Sequence, residues 1–452
     1  MWHGKFDSGK AYRVVVGLGK TGFSCARFFT RAQLPFCVVD TREAPPMLAQ
    51  FRSEFPDVFI QCGTIDADLL AQAVEIVMSP GVATNESFLA AAKSKQVPLI
   101  GDVELFYRQA RAPIVAITGS NAKSTVTTLV GEMAKAAGVK VAVGGNLGTP
   151  ALELLQEGTA LYVLELSSFQ LELVNTFSAK VAALLNISED HMDRYATLND
   201  YIESKRVIFN RCETAVFNIE DHHTWPPGST ECKRVTFGVA PQLASDFGLV
   251  QHQGATFLAK RDMPLLNVAE LQLAGMHNVS NCLAALAIGD AMGFPLAAMC
   301  EVLKTFGGLP HRCQLVKTLN GIRYINDSKG TNVGATLAAI EGLAATNKKN
   351  IVLIAGGEGK GADFSPLHDA CAKSVKACVL IGRDAALIAH DIGNATQVVY
   401  AIDMPSAVQT ATQLAAANDT VLLSPACASF DMFKNYEHRG ECFVDAVRAL
   451  SP

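Results

Sequence analysis

Pro113-Ile-Val-Ala-Ile-Thr-Gly-Ser-Asn-Ala-Lys-Ser-Thr-Val-Thr-Thr-Leu129 is the stretch from which the architecture of this chain can be read. Ile114 to Ile117 is short, apolar and β-branched, which predicts a buried strand. It breaks into Thr118-Gly119-Ser120-Asn121-Ala122-Lys123-Ser124-Thr125. Val126 to Ala137 then carries apolar and small residues at helical spacing and stops at Gly138, so the loop faces the free N–H groups and dipole of a helix. Converging backbone donors, the point charge of Lys123 and a Ser124 or Thr125 hydroxyl for Mg²⁺ suit a nucleoside triphosphate. The ordinary alternative is a strand-to-helix turn capped by serine or asparagine. Only Ala122 separates Gly119-Ser120-Asn121 from Lys123, so the eight-residue phosphate-loop spacing needs Thr118 or an earlier residue in place of its first glycine. Ala122 also stands where glycine is usual; alanine fits there if its φ is negative, with a backbone less free than glycine's.

The 452 residues allow roughly three domains. A composition of 49% apolar and 18% charged residues describes a globular chain with a large core. The net charge of −5 offers no basic footprint, so nucleic acid is not an expected partner. No run of apolar residues is long enough for a membrane span, and Met1-Trp-His-Gly-Lys-Phe-Asp-Ser-Gly-Lys10 has no apolar signal core; a cytoplasmic location is expected. The 12 cysteines form no Cys-x-x-Cys pair and read as reduced core residues.

Upstream, Tyr12 to Gly19 reads as a strand ending in glycines. Gly17, Gly19 and Gly22 complete a Gly-x-Gly-x-x-Gly before a helix over Phe23 to Ala32, and a second strand, Phe36 to Asp40, ends in an acid. This is a dinucleotide fingerprint in its expected context, so an NAD-dependent oxidoreductase is one reading. Glycines that merely let helix and strand pack closely are the plainer one. A second phosphate cradle a hundred residues on favours a chain that handles two phosphorylated ligands, and Thr41-Arg42 would suit one with more phosphate or a uracil ring. Val74 to Met78, the turn Ser79-Pro80-Gly81 and Val97 to Ile100 continue the alternation of a doubly wound sheet.

Downstream, Val141 to Gly145 predicts a strand with Asn146 at its end. Leu161 to Glu165 and Val181 to Ile187 predict two more, the last running into Ser188-Glu189-Asp190-His191. Ligands collect at the carboxyl ends of parallel strands, where Lys123, Glu165 and His191 would converge as a metal and phosphate site. A glutamate inside an apolar strand costs several kcal/mol if unpaired, so Glu165 is either functional or part of a buried ion pair. Lys205, in a helix around Tyr201 to Phe209, would ordinarily be solvated. Gly275-Met-His-Asn278 opens an amphipathic helix through Ala291, with Asn278 a candidate base contact, and residues 212–272 hold short strands and turns.

Thr118 to Thr125, Glu165-Leu-Ser-Ser-Phe-Gln170, Asn186-Ile-Ser-Glu-Asp-His191, Gly275-Met-His-Asn278 and Leu309-Pro-His-Arg312 resemble, in order, the motifs of the Mur ligases, the ATP-dependent amide ligases of peptidoglycan synthesis. The last third repeats a parallel-sheet pattern, from Gly321 to Asp327, Asn350 to Ala355, Cys378 to Ile381, Val398 to Ile402 and Thr420 to Leu423. The resemblance implies three α/β domains. These are an N-terminal Rossmann-like domain over 1–109 for a UDP-sugar, a central P-loop ATPase-like domain over 110–309, and a C-terminal Rossmann-like domain over 310–452 for an amino acid.

Ser424 to Phe433, followed by Lys434-Asn-Tyr-Glu-His-Arg439-Gly440, is similar to the family members that add D-glutamate, and the chain lacks the Asp-Asn-Pro-Arg of those that add a diamino acid. The implied substrates are UDP-MurNAc-L-Ala, D-glutamate and ATP, with two Mg²⁺, no membrane association and a monomer. By motif, Gly119, Ser120, Asn121, Ala122, Lys123, Ser124, Thr125, Asn278, Arg312 and Asp327 would bind ATP. Ser124, Glu165, His191 and Lys205 would hold metal, Lys205 as a CO₂-derived carbamate. Gly17, Thr21, Asp40, Thr41, Arg42, Asn146 and Ser167 would take the UDP-sugar, and Lys329, Thr331, Lys360, Ser424 and Phe430 the D-glutamate. A folylpolyglutamate synthase would share the second and third domains but lack the uridine-reading first; a dehydrogenase or sensor would rest on Gly17 to Asp40 alone.

Overall fold

The computed structural model describes residues 11–451 apart from Pro241, Ala274, Thr346 and Asn347; the Met1–Lys10 stretch read above for an export signal lies outside the described residues. Three sheets follow one another along the chain. The first contains β1 (Arg13–Val16), β2 (Phe36–Asp40), β3 (Ile60–Cys62), β4 (Glu75–Met78) and β5 (Leu99–Ile100), all parallel in the order β3-β2-β1-β4-β5. Its central strand is apolar at consecutive positions, Val14, Val15 and Val16, because helices cover both faces. β3 has only three residues and no sequence signal of its own.

The central sheet is built from β6 (Ile114–Thr118), β7 (Val141–Gly145), β8 (Leu161–Glu165), β9 (Val181–Leu184), β10 (Thr214–Asn218), β11 (Lys233–Phe237), β12 (Phe247–His252), β13 (Ala255–Lys260) and β14 (Met263–Asn267). Its order is β14-β13-β12-β11-β10-β9-β6-β8-β7. The chain leaves β6 toward one side and returns through β9 on the other, so the strand order reverses at β6. A crevice opens at the carboxyl end of a strand at such a switch point, which is where the phosphate loop begins. The short strands of residues 212–272 carry no ligand signal because they extend this sheet, ending in an antiparallel meander of β12, β13 and β14.

The helix Met276–Ala291 differs from its expected amphipathic form. Asn278, Val279 and every residue from Asn281 to Gly289 are buried. The helix is wedged between the sheet and the helices Lys123–Ala136 and Leu296–Thr305. Small residues permit this: a Cβ on Gly289 would stand 2.2 Å from Met299 Sδ.

The last sheet holds β15 (Gln314–Leu319), β16 (Ile322–Asn326), β17 (Ile351–Gly356), β18 (Val375–Ile381), β19 (Gln397–Tyr400) and β20 (Thr420–Leu423), in the order β15-β16-β20-β17-β18-β19. It is parallel except for β15, which pairs antiparallel with β16. That edge corrects the all-parallel expectation. Its connection is Asn320-Gly321, with φ of 51° and 77°, the left-handed pair that a two-residue hairpin requires. All 12 cysteines are free, eight of them buried. Among the described residues no helix is long and apolar enough to cross a membrane.

Candidate active site

The loop after β6 is held by the loop after β9. Ser120 N–H donates to the Asn186 carbonyl at 2.9 Å, and Asn121 N–H donates to Asn186 Oδ1 at 2.8 Å. Ser188 N–H donates to Ser120 Oγ at 2.9 Å. The helix begins at Lys123, three residues before its apolar pattern, so the first turn is made of loop residues. Its cap, Ala122, has φ 65° and ψ −6°, not the negative φ at which alanine would fit without strain. With Asn121 fixed by Asn186 and Val126 N–H on the Ala122 carbonyl, the turn needs a left-handed residue there. A residue with a Cβ holds that conformation at a cost of about 1–2 kcal/mol. The methyl packs onto the central core.

Two lysines meet in this loop. Lys123 Nζ donates to the Gly119 and Ser120 carbonyls at 2.8 Å each, and Lys205 Nζ donates to the same Gly119 carbonyl at 3.0 Å. Lys205 lies 4.6 Å from the Tyr201 ring centroid and is 2% exposed, so it is not the solvated lysine that its type suggests. Burial, then repulsion from Lys123, lowers its affinity for a proton well below that of a free lysine.

Glu165 closes β8 and is 3% exposed. Asn146 Nδ2 donates to its Oε1 at 2.6 Å, while its Oε2 is buried with no partner. A buried carboxylate oxygen left open is costly, and a cation would satisfy it. Ser124 Oγ accepts from Arg312 Nη2 at 2.7 Å, which brings the last third of the chain onto the phosphate loop. His191 sits at φ 59° with its ring centroid 4.8 Å from that of Phe169. Burial, partly opposed by Asp190, holds its pKa near 4, so the ring is neutral at physiological pH and free to ligate a metal. Among the described residues no three His, Cys, Asp or Glu side chains form a metal cluster. The open carboxylate of Glu165 and the Ser124 hydroxyl are oxygen donors that fit Mg²⁺ sharing phosphate and water oxygens rather than a closed protein cage, with His191 as an added nitrogen donor.

Two cavities flank this centre. Asn278, Arg312 and Asp327 line a cleft of about 320 Å³ together with Asn121, Ala122 and Thr125. Gly17, Thr21, Asp40, Thr41, Arg42 and Asn146 line a second cavity of about 650 Å³, which reaches Ser124 and Glu165. Asp40 accepts from Leu18 N–H at 2.7 Å and from Arg42 Nη2 at 2.7 Å. Burial would raise its pKa, but these donors win and lower it. Asp40 thus fixes Arg42 in place. Gly22 is needed for packing, since a Cβ there would stand 1.9 Å from the Gly17 carbonyl oxygen. Ser167 instead caps its own short helix, accepting from Gln170 N–H at 3.2 Å, and it is Gln170 that borders the cavity. The Ser-x-x-Gln spacing of a capping box signals that exchange.

Lys329 borders both cavities, its Nζ 3.7 Å from the Tyr436 ring centroid, and burial brings its pKa down to about 8. Thr331 and Lys360 gather beside Asp190 and His191. Lys360 Nζ lies 2.5 Å from Asp190 Oδ1, and Asn332 Nδ2 donates to Asp190 Oδ2 at 3.1 Å, so the central and last sheets meet through a closed polar seam. Ser424 is fully buried, with its Oγ donating to Asp327 Oδ2 at 2.7 Å, so in this structure it holds Asp327 in place. Phe430 is 72% exposed. Tyr436 was missed, because an aromatic at the start of a helix carries no chemical signal until Lys329 is seen above it.

Residues 11–101 match the Mur ligase MurD-like N-terminal domain, 117–289 the Mur ligase middle domain, and 311–427 the Mur ligase glutamate ligase domain. The chain is 53% identical over 440 residues to the UDP-N-acetylmuramoylalanine--D-glutamate ligase of Pseudomonas aeruginosa, covering 97% of this chain and 98% of that protein. It is 48% identical over 443 residues to the protein of the same name from Coxiella burnetii, covering 98% and 100%. A solved UDP-N-acetylmuramate-alanine ligase from Thermotoga maritima, 19% identical, shares the fold with a TM-score of 0.63 over 97% of this chain and all of that one. The chain belongs to the Mur ligase family.

Proposed function

We propose that this chain joins D-glutamate to UDP-N-acetylmuramoyl-L-alanine at the expense of ATP, in the cytoplasmic synthesis of peptidoglycan precursors. The observation that carries this reading is the meeting, at Lys329 and across the Arg312–Ser124 hydrogen bond, of a nucleotide cleft and a cavity lined by the Gly17–Arg42 region, in a chain about half identical to ligases of that name over their whole length. A carboxylate is a poor electrophile. Its oxygen attacks the γ-phosphorus, ADP leaves, and the resulting acyl phosphate carries a good leaving group. The amine of D-glutamate then attacks the carbonyl carbon, the carbon–oxygen bond to phosphate breaks, the nitrogen sheds a proton, and amide and inorganic phosphate result.

This chain's residues orient the three substrates and spread the phosphoryl charge. Lys123 and Arg312 face the nucleotide, and Asp40 presents Arg42 to the UDP-sugar. Lys329, Thr331, Lys360 and Phe430 receive the amino acid. Two Mg²⁺ would neutralise phosphate oxygens, one held by Ser124 and Glu165, the other by His191 and a Lys205 carbamate. The carbamate reading is supported by the surroundings of Lys205: burial and the charge of Lys123 outweigh the pull of Asp190 and Glu165 and favour the neutral amine, the form that takes CO₂. The chain is read as a monomer divided near 109 and 309. The NAD reading is weakened because Asp40, the acid it needs for a ribose, is taken by Leu18 and Arg42.

The decisive assay is phosphate release from ATP with Mg²⁺ and UDP-MurNAc-L-Ala, comparing D-glutamate, L-glutamate, L-alanine and L-lysine. Turnover confined to D-glutamate is expected, and turnover with another amino acid alone overturns the substrate assignment. Arg42→Ala is expected to raise KM for the UDP-sugar about tenfold or more, the worth of a charged hydrogen bond, and to leave KM for D-glutamate unchanged. Equal effects on both would place Arg42 elsewhere.

A further inference from the structure

Arg439 is the largest fully buried side chain in the described residues, and the chemistry above gives it no part. It forms no ion pair in the geometry around it. Its Nε donates to Ser328 Oγ at 3.0 Å and its Nη2 to the Ser328 carbonyl at 2.8 Å. Its Nη1 donates to the carbonyls of Cys427 at 3.0 Å and Ala428 at 3.3 Å. Burial pulls the guanidinium down to about 10, which still leaves it charged at neutral pH.

A buried cation whose direct partners are a hydroxyl and carbonyls, with Asp327 and Asp431 acting only at longer range, is an expensive way to fill a core, and an apolar residue of similar volume is often no less stable. The contacts show what the charge secures instead. Ser328 precedes Lys329. Ser328 Oγ donates in turn to the Tyr436 carbonyl at 2.8 Å, and Tyr436 is the residue beneath Lys329. Ala428, two residues before Phe430, exchanges backbone hydrogen bonds with Glu358, two residues before Lys360, at 2.8 and 3.0 Å. Gly357 lies so close that a Cβ on it would stand 2.2 Å from the Ala428 carbonyl oxygen. The planar fork of one guanidinium therefore touches two strand-end loops directly and the third through Ala428.

We infer that Arg439 is a positioning residue for the acceptor amino acid, its guanidinium locking together the three loops that carry Lys329, Phe430 and Lys360. The inference rests on the proposed ligase function and on those residues receiving D-glutamate. A lysine could keep the charge but not the fork, because its single ammonium cannot reach hydroxyl and carbonyls in one plane.

The test is steady-state kinetics of phosphate release by the full-length wild type, Arg439→Lys and the milder Ser328→Ala, each substrate varied in turn. For Arg439→Lys, KM for D-glutamate is expected to rise at least tenfold, with KM for ATP and for UDP-MurNAc-L-Ala within about twofold of wild type. For Ser328→Ala the same selective pattern is expected at about threefold, which keeps the inference testable should Arg439→Lys fold poorly. A rise shared by all three KM values, or an unchanged KM for D-glutamate in both variants, overturns it. Failure of the underlying function is separable, since the wild type itself would then show no D-glutamate-dependent turnover.

Discussion

Phosphate release by a Lys123→Ala enzyme is expected to fall at least about 10²- to 10³-fold, the loss typical of removing one donor to developing negative charge. Lys123 opens the helix Lys123–Ala136, so its ammonium adds to the partial positive charge of the helix N-terminus. Its Nζ now rests on the Gly119 and Ser120 carbonyls, both within the loop that would surround a phosphate, and needs only to swing between loop and ligand. The side chain supports no distant part of the fold, so the variant should melt close to the wild type. A turnover within threefold of wild type at saturating substrates would remove the phosphate-loop assignment.

Lys205→Ala is expected to lose activity by at least about a hundredfold, on the same scale of lost charge stabilisation, and to recover part of it with formate or acetate. On this reading the amine of Lys205 would attack CO₂ and lose one proton from nitrogen to give a carbamate anion, turning a cation into a ligand for a cation. Truncation opens a space beside the Gly119 carbonyl that a small carboxylate can enter. Carbon-13 spectroscopy of wild type incubated with labelled bicarbonate should show a carbamate signal that the variant lacks. No signal and no rescue together would leave Lys205 as a structural amine.

Much of this architecture was legible because strand and helix alternate with punctuating glycines. The strands at Ile114, Leu161 and Asn350 are buried on both faces, so they appear as short apolar runs that need no tertiary context. β3 failed that test by its length, and β15 lay outside the strand pattern, although Asn320-Gly321 between two apolar runs is a hairpin signal. The amphipathic reading of Met276–Ala291 failed because small residues allow packing on several faces at once.

Site residues were legible where a residue type was out of place, as Glu165 is in an apolar strand. They were not legible where role depends on what lies above or below. Ser424 looked open at a strand end, yet Asp327 covers it; Tyr436 looked like surface, yet Lys329 rests on it. Ala122 shows a third kind of limit. Its identity suggested an ordinary backbone, and the tertiary clamp through Asn186 forced a left-handed one.

Lys123, Arg312, Lys329 and Lys360 converge on the cleft in a chain whose overall charge is −5, with Glu165, Asp190, Asp327 and Glu437 among the nearby acids. After burial, mutual repulsion is among the forces that make Lys123 and Lys329 release protons more readily than free lysines. Folding thus stores electrical tension in the place where polyanionic substrates bind. A ligand that carries the missing negative charge discharges it, and its binding energy is added to the stability of the folded chain. The substrates in this sense finish the core: they are the counter-ions that the sequence leaves out.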